Sequence, residues 1–244
     1  MIPIRKYATP RGLKNIKKTR PTITYDQFSS EEDCKMAFDE LRNTLITEQG
    51  NICCYCQQKI AFKTANTGKP LMKTEHFVPK KGKDKDESKQ LDYNNLLAAC
   101  LGNQDSGNEN HCDSSKSDAR LQVLPNPAEI RQSNFDGFLI YKVREREGCV
   151  DVIAADLANL ELKKDIEERL HLNEQNLRQK RFAVWNAIWR KVNKGYKIDI
   201  QQVKDIIEKY ECNLNESGER DFYEFAGFIV QWYRHRFKDE LKKL

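Results

Sequence analysis

Lys73-Thr74-Glu75-His76-Phe77-Val78-Pro79 lies between two pairs of cysteines, and its reading decides the fold. A short β-like run delivers an acid and a histidine side by side. Pro79 ends it, because proline has no N–H to give to a ladder. Upstream, Cys53 and Cys56 form a C-x-x-C knuckle; downstream, Cys100 and Cys112 stand eleven residues apart across a stretch rich in Gly, Asn and Ser. In a tetrahedral zinc site a tight turn lets both sulfurs of a close pair face one ion, and a looped-out stretch can bring a wider pair together. The chain has eight cysteines. In a cytoplasmic chain these point to metal before disulfides. Cys34, Cys149 and Cys212 have no close partner and read as buried free thiols, and Cys54 falls outside the C-x-x-C spacing. Four thiolates leave no open position for water, so zinc here is structural and any chemistry lies elsewhere.

The chemistry-bearing residues cluster around the same stretch. Asp92-Tyr93-Asn94-Asn95-Leu96-Leu97 precedes Cys100, and Asp113-Ser114-Ser115-Lys116 follows Cys112. Hydrolysis of a phosphodiester needs a base to activate water and a hard cation to neutralise charge on the leaving oxygen. His76 suits the base, since a histidine titrates near neutrality. Glu75 and Asp113 offer oxygen ligands for Mg²⁺ or Mn²⁺. Asn95 has the donor and acceptor needed to pin a loop.

Composition bounds the rest. The 244 residues carry 42 Lys and Arg against 37 Asp and Glu, a net +5. Residues 1–25 contain Arg5, Lys6, Arg11, Lys14, Lys17, Lys18 and Arg20 and no acid. The basic excess is thus concentrated in an N-terminal arm, which suits phosphate contacts along a nucleic acid. No apolar run approaches the ~20 residues that span a bilayer, and no apolar leader opens the chain, so a soluble cytoplasmic protein is expected.

Four segments follow. After the arm (1–28), Ser29-Ser30-Glu31-Glu32 reads as a capping box for a helix with Cys34, Phe38, Leu41 and Leu45 on one face and Gly50 as its stop. The stretch 29–130 holds the cysteine and histidine chemistry, with Gly82 to Gln90 read as a mobile loop. Residues 131–155 contain a β-hairpin formed by Phe138–Val143 and Cys149–Ala154. From 156 to 244 the pattern is helical: Asn173 caps a helix with Leu177, Val184, Ile188 and Val192 inward, Asp199 caps another, and a last amphipathic stretch ends the chain. Trp185, Trp189 and Trp232 read as core anchors, and His171 and His235 as structural.

The order C-x-x-C, acid-His-x-x-Pro, Asn-Leu, Cys, then Cys with Lys four residues on resembles the HNH endonuclease family and its zinc-stapled ββα-metal fold, over residues 51–120. The resemblance implies an α+β chain: an HNH core, then the hairpin and a mostly helical C-terminal region. It makes His76 the general base, Glu75 its acidic neighbour and Asn95 the middle asparagine, with Asn94 the alternative if the register slips by one. Cys53, Cys56, Cys100 and Cys112 match the zinc set, and Lys116 matches a lysine that contacts phosphate. There are two departures. The second cysteine pair is stretched, and the residue after the last cysteine is Asp113 where the family usually has His, so either Asp113, which keeps the family's position, or His111 completes the catalytic metal site. The basic N-terminus, Glu-His-Phe-x-Pro, His-Cys-Asp-x-x-Lys and Leu170-His171-Leu172-Asn173 resemble the nuclease subunits of Septu-type and retron-associated antiphage systems. That implies an ABC-type ATPase partner docked on the helical region. DNA is the expected substrate. RNA such as a transfer RNA is the alternative, because phosphodiester chemistry barely depends on the sugar, and a non-catalytic zinc module that binds nucleic acid is a further one.

Overall fold

The computed structural model describes residues 1–62, 71–104, 106–130, 135–193 and 198–243. Residues 131–134, where the segment leading to the hairpin begins, and Asp105 in the loop between Cys100 and Cys112 lie outside them. Two small antiparallel sheets organise the chain. In the first, β1 (Lys73–His76) pairs with β2 (Leu96–Ala99), so that Lys73 faces Ala99 and His76 faces Leu96. All four residues of β2 are buried, which fits an unbroken apolar run covered on both faces.

The N-terminal segment, residues 1–48, wraps this sheet. Helices α1 (Arg11–Thr19) and α2 (Tyr25–Ser30) pack on α3 (Lys35–Glu48), which rests on β2. Leu13, Phe28, Leu41 and Leu45 are wholly buried between them. The N-terminal segment is therefore a folded layer: Met1 and Ile4 are in the core, and the Ile4 N–H bonds the Pro127 carbonyl at 2.8 Å. The capping box belongs to Thr24 and Gln27 at the start of α2, and Ser29 and Ser30 end that helix. Their hydroxyls bond back to the Asp26 carbonyl, so they cannot open the next helix. Gly82 to Gln90 carries a 3₁₀ turn at Glu87–Lys89, capped by Asp86.

The second sheet pairs β3 (Leu139–Arg144) with β4 (Cys149–Ala154), linked through Gly148 at φ 62°. Leu139, Tyr141, Val150 and Val152 alternate inward, giving the hairpin one apolar face. Helix α5 (Leu160–Lys164) leads through a π turn at Asp165–Arg169 to α6 (Gln175–Val192), α7 (Ile200–Glu211), α8 (Ala226–Arg236) and α9 (Lys238–Leu241). Helix α6 lies on β4 and α8 on β3. Trp185, Trp189 and Trp232 meet with ring centroids 5.3–5.8 Å apart. The cap of α6 is Glu174, not Asn173. Asn173 instead clasps β4, accepting from the Val152 N–H and donating to its carbonyl. Cys212 is exposed, against its reading as a buried thiol, while Cys34 and Cys149 are buried.

Candidate active site and metal centre

The turn holding Cys53 and Cys56 is closed by the Ile52–Lys59 bridge and by the Gln57 N–H bonding the Cys53 carbonyl. Cys100 directly follows β2. Cys112 precedes a short helix, α4 (Asp113–Lys116), with φ 56°, a left-handed conformation costly for a side chain. Its N–H is held by the Leu170 carbonyl at 2.8 Å. The loop between these two cysteines closes at Gly102 (φ 61°), where a Cβ would lie 2.2 Å from the His111 carbonyl.

The four sulfurs lie within 4.8 Å of one another, with Cys53 3.9 Å from Cys112 and Cys56 3.7 Å from Cys100. Sulfurs bonded to one zinc at about 2.3 Å stand about 3.8 Å apart at the corners of a tetrahedron. The residues thus fit a zinc-sized dication. Burial pushes the Cys112 thiol well up, so a cation is needed to hold it as thiolate in this setting.

Strand β1 borders a cleft of ≈ 710 Å³, which all four of its residues line. Glu75, His76 and Asp113 line it together. His76 is mostly buried, and its Nε2 lies 3.0 Å from the Gln90 carbonyl. A carbonyl only accepts, so Nε2 carries the proton and Nδ1 is left basic. Burial lowers the His76 pKa to about 4, which keeps the ring neutral near pH 7. The Tyr25 ring meets it edge-on at 4.3 Å.

Glu75 is fully buried. It accepts from the Tyr55 hydroxyl at 2.7 Å and from the Lys116 ammonium at 2.9 Å. Burial pushes its carboxyl well up, Lys116 opposes that, and the neighbouring Asp113 carboxylate adds to it. Asp113 in turn lies 3.5 Å from Lys73. Asn95 is buried at the start of β2. Its Oδ1 accepts from the Val78 N–H at 2.7 Å, and its Nδ2 donates to the Val78 and Lys89 carbonyls at 3.0 Å. The loop it fastens is the one that presents Gln90 to His76. Asn94 is exposed.

Other expected site residues stand apart. Lys116 is 1 % exposed and spends its ammonium on Glu75 and on the His76 carbonyl, so it braces the site from inside and meets no phosphate. His111 is buried beside the sulfurs, with Nδ1 3.2 Å from Cys112 Sγ, away from the carboxylates it was expected to join. Lys6 is buried, pairing with Glu48 at 3.6 Å and donating to the Leu96 carbonyl, and Arg20 is held by Glu31 and Asp33. Lys6 is closed to a polyanion, and Arg20, a third exposed, is already paired with two carboxylates. Lys17 is exposed and donates to the Leu91 carbonyl; Arg5, Arg11, Lys14 and Lys18 are exposed too.

Some cleft residues escape sequence reasoning. Lys73 is two positions from Glu75 on one strand face, so alternation could have found it. Tyr25, Arg42 and Lys80 in the cleft, and Tyr55 behind Glu75, come from separate segments and carry no shared spacing.

No family model matches the chain. It is 27% identical over 186 residues to a Vibrio cholerae protein named "Retron Vc95 putative HNH endonuclease", covering 70% of this chain and 85% of that one. It is 31% identical over 121 residues to an Escherichia coli protein named "Retron Ec83 putative HNH endonuclease", covering 47% of this chain and 45% of the relative.

Proposed function

We propose, for a chain related to the HNH endonucleases named in retrons, a metal-dependent endonuclease that hydrolyses phosphodiester bonds of nucleic acid, with DNA the favoured substrate. The observation that carries this reading is the neutral, single-tautomer imidazole of His76 in one cleft with Glu75 and Asp113. In it, His76 takes the proton of the attacking water at Nδ1, and the Gln90 carbonyl steadies the ring as it becomes charged. Two carboxylates side by side repel unless a proton or cation lies between them. Glu75 and Asp113 would hold a hard dication, which needs only one or two protein carboxylates beside water and phosphate oxygens. Once bound, Mg²⁺ or Mn²⁺ supplies stabilisation of the charge that develops on the phosphate and leaving oxygen. Lys116 and Tyr55 orient Glu75, and Asn95 orients the loop that polarises His76. The β1–β2 pair followed by α4, with four cysteines behind it, supports a ββα-metal core stapled by zinc.

The names of the relatives favour a retron nuclease, and the sequence motifs extend that reading to the nuclease of a bacterial antiphage complex, of retron or Septu type. An ABC-type ATPase would then restrain it, docked on the helical region from residue 156.

The test supplies purified protein with Mg²⁺ or Mn²⁺ and either plasmid DNA or total RNA, with zinc measured alongside. His76→Ala should cut at least about 100-fold more slowly while keeping its zinc. Equal cutting by the mutant removes His76 from the mechanism. Preferential loss of RNA moves the target to RNA, and binding without cutting, even beside the ATPase, leaves a non-catalytic zinc module.

A further inference from the structure

Arg181 sits on α6 in the middle of the molecule, 1 % exposed. Its Nε and Nη1 have no hydrogen-bond partner among the described residues. An arginine stays charged at any ordinary pH, and a buried charge without a partner is strongly unfavourable. Something must balance it.

Few groups near it are candidates. Asp151 is already engaged by Arg144 at 3.1 Å and Arg178 at 2.7 Å, and the buried Glu174 carboxylate is engaged by the Leu177 N–H at 3.0 Å. The Tyr141 phenol is kept protonated by burial. The Phe225 ring, 5.9 Å from the guanidinium carbon, contributes a quadrupole and no net charge. What remains is the cysteine cluster, to which Arg181 is tied by geometry: its guanidinium lies over the Phe225 ring, and the Phe225 N–H bonds the carbonyl of Gln57, the residue after Cys56. A dication with four thiolates carries a net charge of −2. A buried centre of that charge and a buried cation without a carboxylate answer one another's need. The surroundings are built to keep them together: the Phe225 N–H bonds the Gln57 carbonyl in the cysteine turn, and the Gly227 N–H bonds the Gln57 side chain at 3.0 Å.

We propose that Arg181 is the counter-ion of the Cys53–Cys56–Cys100–Cys112 zinc centre, a positioning residue that makes zinc retention depend on the packing of α6. This rests on the four-cysteine zinc reading and does not depend on the cleft or on cleavage. Groups surrounding a metal's ligands, when removed, typically cost about 10- to 100-fold in metal affinity.

The experiment uses the full chain. Zinc per chain is measured first, then its rate of transfer to a chromogenic chelator, for wild type, Arg181→Met, Arg181→Lys and Trp185→Phe. Trp185 lies one turn along the same buried face, so its variant reports general loosening of α6. Cobalt is then substituted and the thiolate-to-cobalt charge-transfer band recorded. Arg181→Met should release zinc about 10- to 100-fold faster and displace the band. Arg181→Lys should recover much of the retention, because it keeps the charge. Trp185→Phe should lower thermal stability and leave the band where it is. Equal effects of Arg181→Met and Trp185→Phe, or unchanged retention in Arg181→Met, overturn the inference while leaving zinc in place. A wild-type chain without zinc overturns the zinc reading as well, so the two failures are distinct. If Arg181→Met does not fold, the band in Arg181→Lys decides: a point charge at another distance displaces it, and an unmoved band overturns the inference.

Discussion

At the scale of single residues, the cleft contains groups whose worth depends on burial more than on identity. Lys116 and Glu75 form a buried pair at 2.9 Å, with both side chains almost wholly covered. Removing one member strands the other, which typically costs about 3–5 kcal/mol. Lys116→Met should therefore lower stability in urea unfolding by about that much, and should leave the salt dependence of nucleic-acid binding unchanged. A lysine on phosphate would do the reverse, lowering the salt slope by about one with little effect on stability. Asn95 acts by hydrogen bonding alone. Its three bonds fix the 78–89 stretch, and at roughly 1 kcal/mol each the Asn95→Ala variant should lose about 2–3 kcal/mol. Its cutting should fall as well, because Gln90 no longer holds His76 in one tautomer. Stability curves run beside cleavage assays separate the two effects.

At the scale of elements, α1 and the loop closing at Gly102 matter most. Helix α1 turns Leu13 inward and leaves Arg11, Lys14 and Lys18 outward, so the basic segment offers phosphate a rigid row in place of a loose arm. Replacing those three residues with Gln should reduce the slope of log K against log salt by up to about 3 and leave folding intact. An unchanged slope would take α1 out of the binding surface. Gly102→Ala should hinder closure between Cys100 and Cys112, because the Cβ meets the His111 carbonyl and the backbone there is left-handed. Zinc content below that of wild type after identical purification is the expected reading.

At the scale of the whole molecule, the four-cysteine cluster joins parts that the sequence suggests are separate. The Leu170 carbonyl holds Cys112, Gln57 is bonded by Phe225 and Gly227, and Asp165 accepts from the N–H groups of Gln122, Val123 and Leu124. Helices beyond residue 156 are thus fastened to the cysteine turn and to the stretch before the hairpin. Stripping zinc, or replacing Cys56 with Ser, should unfold these parts together, since metal binding is folding free energy here. A single transition by far-UV circular dichroism, with no protease-resistant fragment from 156 to the end, is expected. A stable helical fragment would show that the region folds alone.

The sequence by itself determined the parts whose signals are local. The C-x-x-C turn, the acid–histidine pair before Pro79, the hairpin with Gly148 at its corner and the cap at Asp199 are all short-range patterns, set by chain geometry within a few residues. Only the tertiary structure decided which charged residues are interior. Lys6 and Lys116 read as phosphate contacts, yet each is enclosed by segments far away in the chain, and Arg181 is buried as well. The inward face of α6 therefore runs through Leu177, Arg181, Trp185 and Val192, where apolar periodicity alone favours Val184 and Ile188. Lys6 and Lys116 are tolerated inside because Glu48 and Glu75 stand opposite them, and those partners come from the three-dimensional arrangement and not from spacing along the chain.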